Sequence, residues 1–285
     1  MSARLLDGRE VASHLRRELA HRVESLTGPT EEGSEPHDWP RLAIVGDGAS
    51  EQAVLYSASL ERAARSIGVP TDLVVGAERP GDTIEALNRD PRVAGIVVAQ
   101  PFADASRGRR LVELIDPSRD VDGATPTNAG RLARGEPAFV PATALAVVAI
   151  LEAYDVDVAG RRAVIVGRSA VVGRPVASLL LARDATVVIC HRATRNLARE
   201  TRRADILVAA AGVPGLIRAE MVNRSAYVID CGITAVAGGI AGDVDFASVS
   251  PVVRGITPVP GGIGPVTPMM VLRQTVESAE RIAAS

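Results

Sequence analysis

The 285-residue chain contains no lysine; all 32 of its cationic side chains are arginine. That excludes a P-loop lysine, Schiff-base chemistry and a lysine general base. Aromatic residues make up 2% of the chain and the net charge is −2. Stacking platforms for bases and a basic field for a phosphate backbone are therefore lacking, and nucleic acid is not an expected partner. Cys190 and Cys231 are too few for a disulfide framework or a Cys-rich metal site, and read as reduced core residues of a cytoplasmic protein. The four histidines (His14, His21, His37, His191) form no ligand pair with an acid, so no metal is expected. No apolar run is long enough to span a membrane, and the charged start "MSARLLDGREVASHLRREL" does not read as a secretory signal.

What is present reads as a protein of two α/β domains, since the length exceeds a single ordinary core. Val11, Leu15, Leu19, Val23 and Leu26 recur at helical spacing over residues 8–26. "TGPTEEGSEPHDWP" follows as a loop. Strands are expected at 41–46, 71–76 and 93–101, separated by helices, the first of which carries Tyr56. Alternation of this kind implies parallel pairing with helical crossovers. Residues 117–137, "PSRDVDGATPTNAGRLARGEP", read as irregular and functional. The apolar helix "TALAVVAILEAYDV" then leads to a second domain with strands at "AVIVG", "ATVVIC", "DILVAAAG" and "AYVIDCG". A last helix begins at "PMMVLRQTVESAERI".

"AVIVG" followed by "RSAVVGRPVASLLL" is a strand, a glycine turn and a helix. It lacks the three-glycine dinucleotide fingerprint. Gly167 permits a sharp reversal and Gly173 a close backbone approach, while Pro175 suits a first helical turn. The helix start is expected to offer unpaired N–H groups to a phosphate; an ordinary strand-to-helix connection is the alternative. The next strand ends in His191-Arg192, with Thr194 beyond. An acid at that point would bind a ribose hydroxyl, whereas a cation favours a 2′-phosphate, hence NADP(H). Arg168 in the glycine turn is placed to approach the same phosphate.

The segments "LLDGREVA", "DVDGATPTNAGRL", "VGRSAVVGRP", "CHRAT", "VIDCGI", "GDV" and "TPVPGGIGPVT" occur in that order along the chain. In them the sequence resembles the bifunctional methylenetetrahydrofolate dehydrogenase/cyclohydrolase family, nearly end to end. The resemblance implies two α/β domains around a cleft. Residues 1–145 with 266–285 would form a folate-binding catalytic domain, and 146–265 a Rossmann-like NADP-binding domain. It further implies a cytoplasmic homodimer acting on a tetrahydrofolate one-carbon substrate. By position, Tyr56 matches a cleft tyrosine beside the folate ring and Asp122 the acid that binds the pterin. Pro260, Gly261 and Gly262 match a loop closing over folate and nicotinamide. Gly167, Arg168, Ser169, Arg192 and Ile233 match cofactor contacts, and Gly173, Arg174, Pro175, His191 and Thr194 of the glycine turn and the next strand end join them as expected cofactor-side residues. Taken singly, Tyr56 also reads as a packing residue, Asp122 as a turn residue and "PGGIGP" as a turn.

Two departures stand out against that family pattern. The lysine one turn after the tyrosine is replaced by Leu60. With Pro101 as the anchor, the position of the family glutamine is Ala99, and Gln100, the remaining substrate-side candidate, is expected on the opposite face of the strand. Hydride transfer from methylenetetrahydrofolate to NADP⁺ needs positioning but no obligatory protein proton transfer. Hydrolysis of the methenyl product does need protons moved. The expected activity is therefore an NADP-dependent dehydrogenase with cyclohydrolase activity weak or lost. A repurposed one-carbon transferase and a noncatalytic folate or NADP(H) binder remain as alternatives.

Overall fold

The structure, a computed structural model, describes residues 3–27 and 40–284. The expected loop after the first helix falls almost wholly at 28–39, outside the described residues. The elements run in chain order from β1 (Arg4–Leu5) and α1 (Gly8–Thr27) through β2 (Arg41–Gly46), α2 (Glu51–Arg65), β3 (Thr71–Val75), α3 (Pro80–Arg89) and β4 (Val93–Val98). Next come α4 (Ala105–Glu113), α5 (Pro126–Ala133), α6 (Ala142–Ala153), β5 (Arg162–Val166), α7 (Gly173–Leu181) and β6 (Thr186–Cys190). The rest are α8 (Leu197–Thr201), β7 (Ile206–Ala209), β8 (Tyr227–Asp230), β9 (Thr234–Val236), β10 (Gly239–Ala241), α9 (Phe246–Val249), β11 (Gly255–Ile256) and α10 (Ile263–Ala283). Among the described residues, no helix is long and apolar enough to cross a membrane.

These elements form two compact units: Ser13–Val140 with Pro268–Ser285, and Met1–Ala12 with Pro141–Thr267. The first unit holds a parallel sheet in the order β3-β2-β4. Every residue of β4 is buried, as in a strand covered on both faces. Ala43, Val45, Ile96 and Val98 meet Ile84 of α3, Leu111 of α4, and Phe102 and Ile115 in one apolar cluster. The second unit holds a six-stranded sheet in the order β1-β11-β8-β7-β5-β6, parallel at every pairing. The run β5-α7-β6, its strands parallel, is the crossover that the glycine turn announces.

The units divide differently from the domain limits read in the sequence. β1 pairs with β11, and the Gly8 N–H donates to the Gly261 carbonyl at 2.9 Å, so the described residues before Ser13 pack in the second unit. All of α6 also lies in that unit. Two local expectations are corrected. The stretch 117–137 is not irregular throughout, because α5 forms within it. Thr125 accepts the Asn128 N–H at the helix start, and Pro126 occupies the first turn, where its missing N–H costs nothing. The last helix begins at Ile263, with Pro268 inside it rather than at its start.

Candidate functional site

In the first unit, α2 buries Ala53, Ser57, Leu60 and Ala64 along one face. Ser50 caps its start, accepting the Ala53 N–H at 3.4 Å. Tyr56 lies at the margin of this face and is half-buried. Leu60, one turn on, is fully buried at 0% exposure. Residues four apart on a helix are neighbours, so the group beside Tyr56 along α2 is an isobutyl chain. Burial pushes the Tyr56 phenol well above its ordinary value, and the negative charge of Asp122 adds to the shift. No arginine among the described residues acts to offset it. At neutral pH the phenol is a proton-bearing group and not a base.

Ala99, just past β4, is also fully buried, while Gln100 is exposed. The Gln100 amide turns toward Gly108, and its Oε1 accepts the Phe102 N–H at 3.3 Å. Ala99 and Gln100 thus differ in exposure just past the strand end.

The residues around Asp122 are fixed by a buried hydrogen-bond network. Asp120, fully buried, accepts from the Ala124 N–H at 3.0 Å, the Thr125 N–H at 2.8 Å and Asn128 Nδ2 at 2.8 Å. Burial raises its carboxyl, against the lowering effect of those donors. Asn128 Nδ2 also donates to the Pro117 carbonyl, and Asn128 Oδ1 is buried without a partner among the described residues. From α10, Gln274 Nε2 donates to the carbonyls of Val121 (2.7 Å) and Val140 (2.9 Å), and Gln274 Oε1 accepts the Val140 N–H at 2.8 Å. The residue on each side of Val121 is thereby set, Asp120 by the α5 start and Asp122 through the pinned Val121 carbonyl.

In the second unit, Gly167, Arg168, Ser169, His191, Arg192 and Thr194 line one cavity of about 510 Å³, together with Ala210, Ala211 and Val213. Gly167 has φ +135°, and a Cβ there would lie 2.0 Å from the Ala210 carbonyl oxygen. Glycine is what allows β5 to end so close to the segment after β7. The turn after β6 is locked: the His191 N–H donates to Thr194 Oγ1 (2.9 Å) and the Thr194 N–H to the His191 carbonyl (2.7 Å). His191 Nδ1 accepts the Ala193 N–H at 3.2 Å, which leaves Arg192 exposed at the tip. Two guanidinium groups and no carboxylate line this cavity, a donor set that fits a 2′-phosphorylated adenosine.

One expectation at this turn is corrected. The start of α7 does not offer free donors. Ser169 Oγ accepts the N–H groups of Val172 (3.1 Å) and Gly173 (3.4 Å), and the Ser169 carbonyl accepts that of Arg174 (3.1 Å). Pro175 has no N–H. The hydroxyl cap consumes what a phosphate was expected to use. Gly173, Arg174 and Pro175 build the helix start and do not line the cavity.

Ile233, Pro260, Gly261 and Gly262 line a separate pocket of about 170 Å³ with Arg9, Asp230 and Gly232. Ile233 is 60% exposed. Among the described residues, no cluster of three or more His, Cys, Asp or Glu is arranged to hold a metal.

Comparison with known proteins agrees with this geometry. The model for the tetrahydrofolate dehydrogenase/cyclohydrolase catalytic domain matches residues 6–122, and that for its NAD(P)-binding domain matches residues 141–283. The chain is 46% identical to bifunctional protein FolD 1 of Saccharopolyspora erythraea, over 98% of this chain and 95% of that protein. It is similar to the crystal structure of the bifunctional FolD enzyme from Campylobacter jejuni, with a TM-score of 0.91, 37% identity, and 98% and 99% of the two chains covered. The Trypanosoma brucei FolD structure, complexed with NADP and an inhibitor, gives a TM-score of 0.91 at 34% identity and covers both chains fully.

Proposed function

Since the chain belongs to the tetrahydrofolate dehydrogenase/cyclohydrolase family, we propose that it oxidises 5,10-methylenetetrahydrofolate to 5,10-methenyltetrahydrofolate with NADP⁺ and hydrolyses that product weakly or not at all. Bound NADP⁺ supplies the hydride acceptor. Arg168 and Arg192 hold its 2′-phosphate, and Gly167 gives the backbone its close approach. Tyr56 and Asp122 orient the reduced pterin. The nitrogen lone pairs of the folate itself support the cation left behind, so this step asks the protein for position and not for a proton.

The loss of hydrolysis rests on Leu60. Hydration of the methenyl carbon requires a group that takes a proton from water and returns one to nitrogen. An isobutyl chain can do neither. The Tyr56 phenol, pushed well above its ordinary value, does not substitute as a base. Ala99 stands where the resemblance implies the glutamine that tunes the missing lysine. The transferase and noncatalytic alternatives have no structural observation in their favour. The reading includes a homodimer, to be checked by sedimentation.

The test mixes protein, NADP⁺ and methylenetetrahydrofolate and follows NADPH and methenyl product separately. NADPH should form while the methenyl compound accumulates and decays at its uncatalysed rate. Faster decay, proportional to enzyme, sinks the proposed loss of hydrolysis. In the Leu60→Lys, Ala99→Gln double variant, hydrolysis should appear.

A further inference from the structure

Two buried carboxylates in the second unit have no part in the function proposed above. Asp230, at the end of β8, is 3% exposed, and Asp243 is fully buried. No salt bridge compensates either of them among the described residues. Backbone N–H groups do so instead. Asp230 Oδ1 accepts from Gly232 (2.9 Å) and Asp243 (3.0 Å), and its Oδ2 accepts from Val244 (2.9 Å). Asp243 Oδ2 accepts from Ala211 (2.5 Å) and Gly212 (2.9 Å), and its Oδ1 accepts from Val213 (2.8 Å). The chain is fitted closely around both. A Cβ on Gly242 would lie 2.0 Å from Asp230 Oδ2, and one on Gly232 would lie 2.4 Å from Asp243 Oδ1.

Burying two like charges is costly, and an apolar pair would fill the same space without that cost. What the carboxylates provide is an acceptor for six N–H groups just past the strand ends, where the sheet ladder no longer supplies one. Three of those N–H groups belong to residues that line the two cavities. Ala211 and Val213 line the cavity that holds Arg168 and Arg192. Gly232 lines the pocket with Ile233 and Gly261. The Asp243 N–H bonded to Asp230 links one wall to the other.

We infer that Asp243 and Asp230 are a positioning pair for the dinucleotide, Asp243 setting the wall beside the 2′-phosphate cations and Asp230 the Gly232–Ile233 wall. This rests on the nucleotide reading proposed above. The isosteric changes Asp243→Asn and Asp230→Asn leave no void but turn an amide N–H₂ against a backbone donor.

The experiment titrates full-length wild type and each variant with adenosine 2′,5′-bisphosphate and with NADP⁺ by calorimetry. Asp243→Asn should weaken both ligands by about tenfold or more, the loss of one charge-assisted bond network. Asp230→Asn should leave the bisphosphate within about threefold of wild type while weakening NADP⁺ about tenfold. In turnover, KM for NADP⁺ should rise in both variants while KM for methylenetetrahydrofolate holds. A structural role alone would lower the binding stoichiometry and leave the affinities unchanged, and that result overturns the inference. So does equal weakening of both ligands by Asp230→Asn. Wild type that binds neither ligand overturns the nucleotide reading itself. Wild type that binds both, with variants that match it, overturns only the pair. Should Asp243→Asn not fold, the split expected of Asp230→Asn decides alone.

Discussion

Replacing Gln274 with leucine should remove the fastening of the loop that carries Asp122. Gln274 is 4% exposed, and its amide makes three bonds to backbone atoms of Val121 and Val140. Leucine occupies similar volume, so little of the effect is packing. The change orphans the Val140 N–H and leaves the carbonyls of Val121 and Val140 short of a donor. An orphaned buried donor costs about 1–3 kcal/mol, and under-satisfied carbonyls with a second lone pair cost less, for roughly 3 kcal/mol in total. With a urea m-value of about 2–3 kcal/mol/M, the midpoint of the transition falls by roughly 1 M. Far-UV circular dichroism in urea measures this. Kinetics supply the second readout. Asp122 follows Val121 directly, so KM for methylenetetrahydrofolate should rise while KM for NADP⁺ stays put. A midpoint within about 0.3 M of wild type refutes the energetic argument. A large midpoint shift with KM unchanged would show that Asp120 and its three donors hold the loop without help from α10.

Arg192→Ala should weaken NADP⁺ by about 10- to 100-fold, the worth of a charged hydrogen bond, and leave NAD⁺ affinity near wild type; parallel loss of both cofactors would remove Arg192 from the 2′-phosphate site. Gly167→Ala combines φ +135° with a Cβ 2.0 Å from a carbonyl oxygen, and should lower the melting temperature and abolish nucleotide binding together. Asp230 predicts a pH effect of definite sign. Burial, with the charge of Asp243 as a smaller cause, raises its carboxyl to about 6, above the unfolded value of about 3.9, so ionisation costs more in the folded chain. The stability it contributes is complete below pH about 4 and is lost as pH rises through about 6, a decline of about 3 kcal/mol. Denaturation at pH 4 and pH 7 should show roughly 2 kcal/mol of that decline in wild type relative to Asp230→Asn, in which it is absent; equal slopes would refute it.

The strands were legible because parallel strands buried on both faces read as short apolar runs between breakers, as "VAGIVV" does. The α5 helix was missed although Thr125-Pro126 is a helix-start signal, because the surrounding Asp, Gly and Pro dominate the window. The start of α10 was missed because its first turns hold Gly264, Pro265 and Pro268, residues that punctuate helices elsewhere. At the candidate site, the side chains proposed to face ligands could be named from motif position: Tyr56, Asp122, Arg168 and Arg192. The residues that hold them could not. Gln274 bonds backbone atoms 134 and 153 residues away, and Asp243 gathers N–H groups 30 to 32 residues upstream. Backbone atoms carry no sequence signature, so the holding role of Asp120, Asp230 and Asp243, although they lie in motif segments, and that of Gln274 show only once the chain is folded.

The same distinction bears on the proposal that hydride transfer persists here while hydrolysis is weak or lost. A hydride step depends on where atoms are held, and the elements that hold them here are spread widely: α10 through Gln274, the α5 start through Asp120, and the strand ends through Asp230 and Asp243. Such a frame tolerates a change at one side chain that none of those bonds touches. A proton step depends on one group of suitable basicity at one place. On the proposed reading Leu60 stands in place of that group without disturbing the frame, because leucine packs on the buried face of α2 with Ala53, Ser57 and Ala64. A cation at position 60 would draw the Tyr56 phenol toward ionisation, which is the direction opposite to the shift the phenol shows. A lysine introduced at this position enters a fully buried site, where desolvation lowers its pKa, and on the proposed reading a glutamine at position 99 supplies its acceptor. Leu60→Lys alone should therefore destabilise the chain without restoring hydrolysis, and only the double change should recover both.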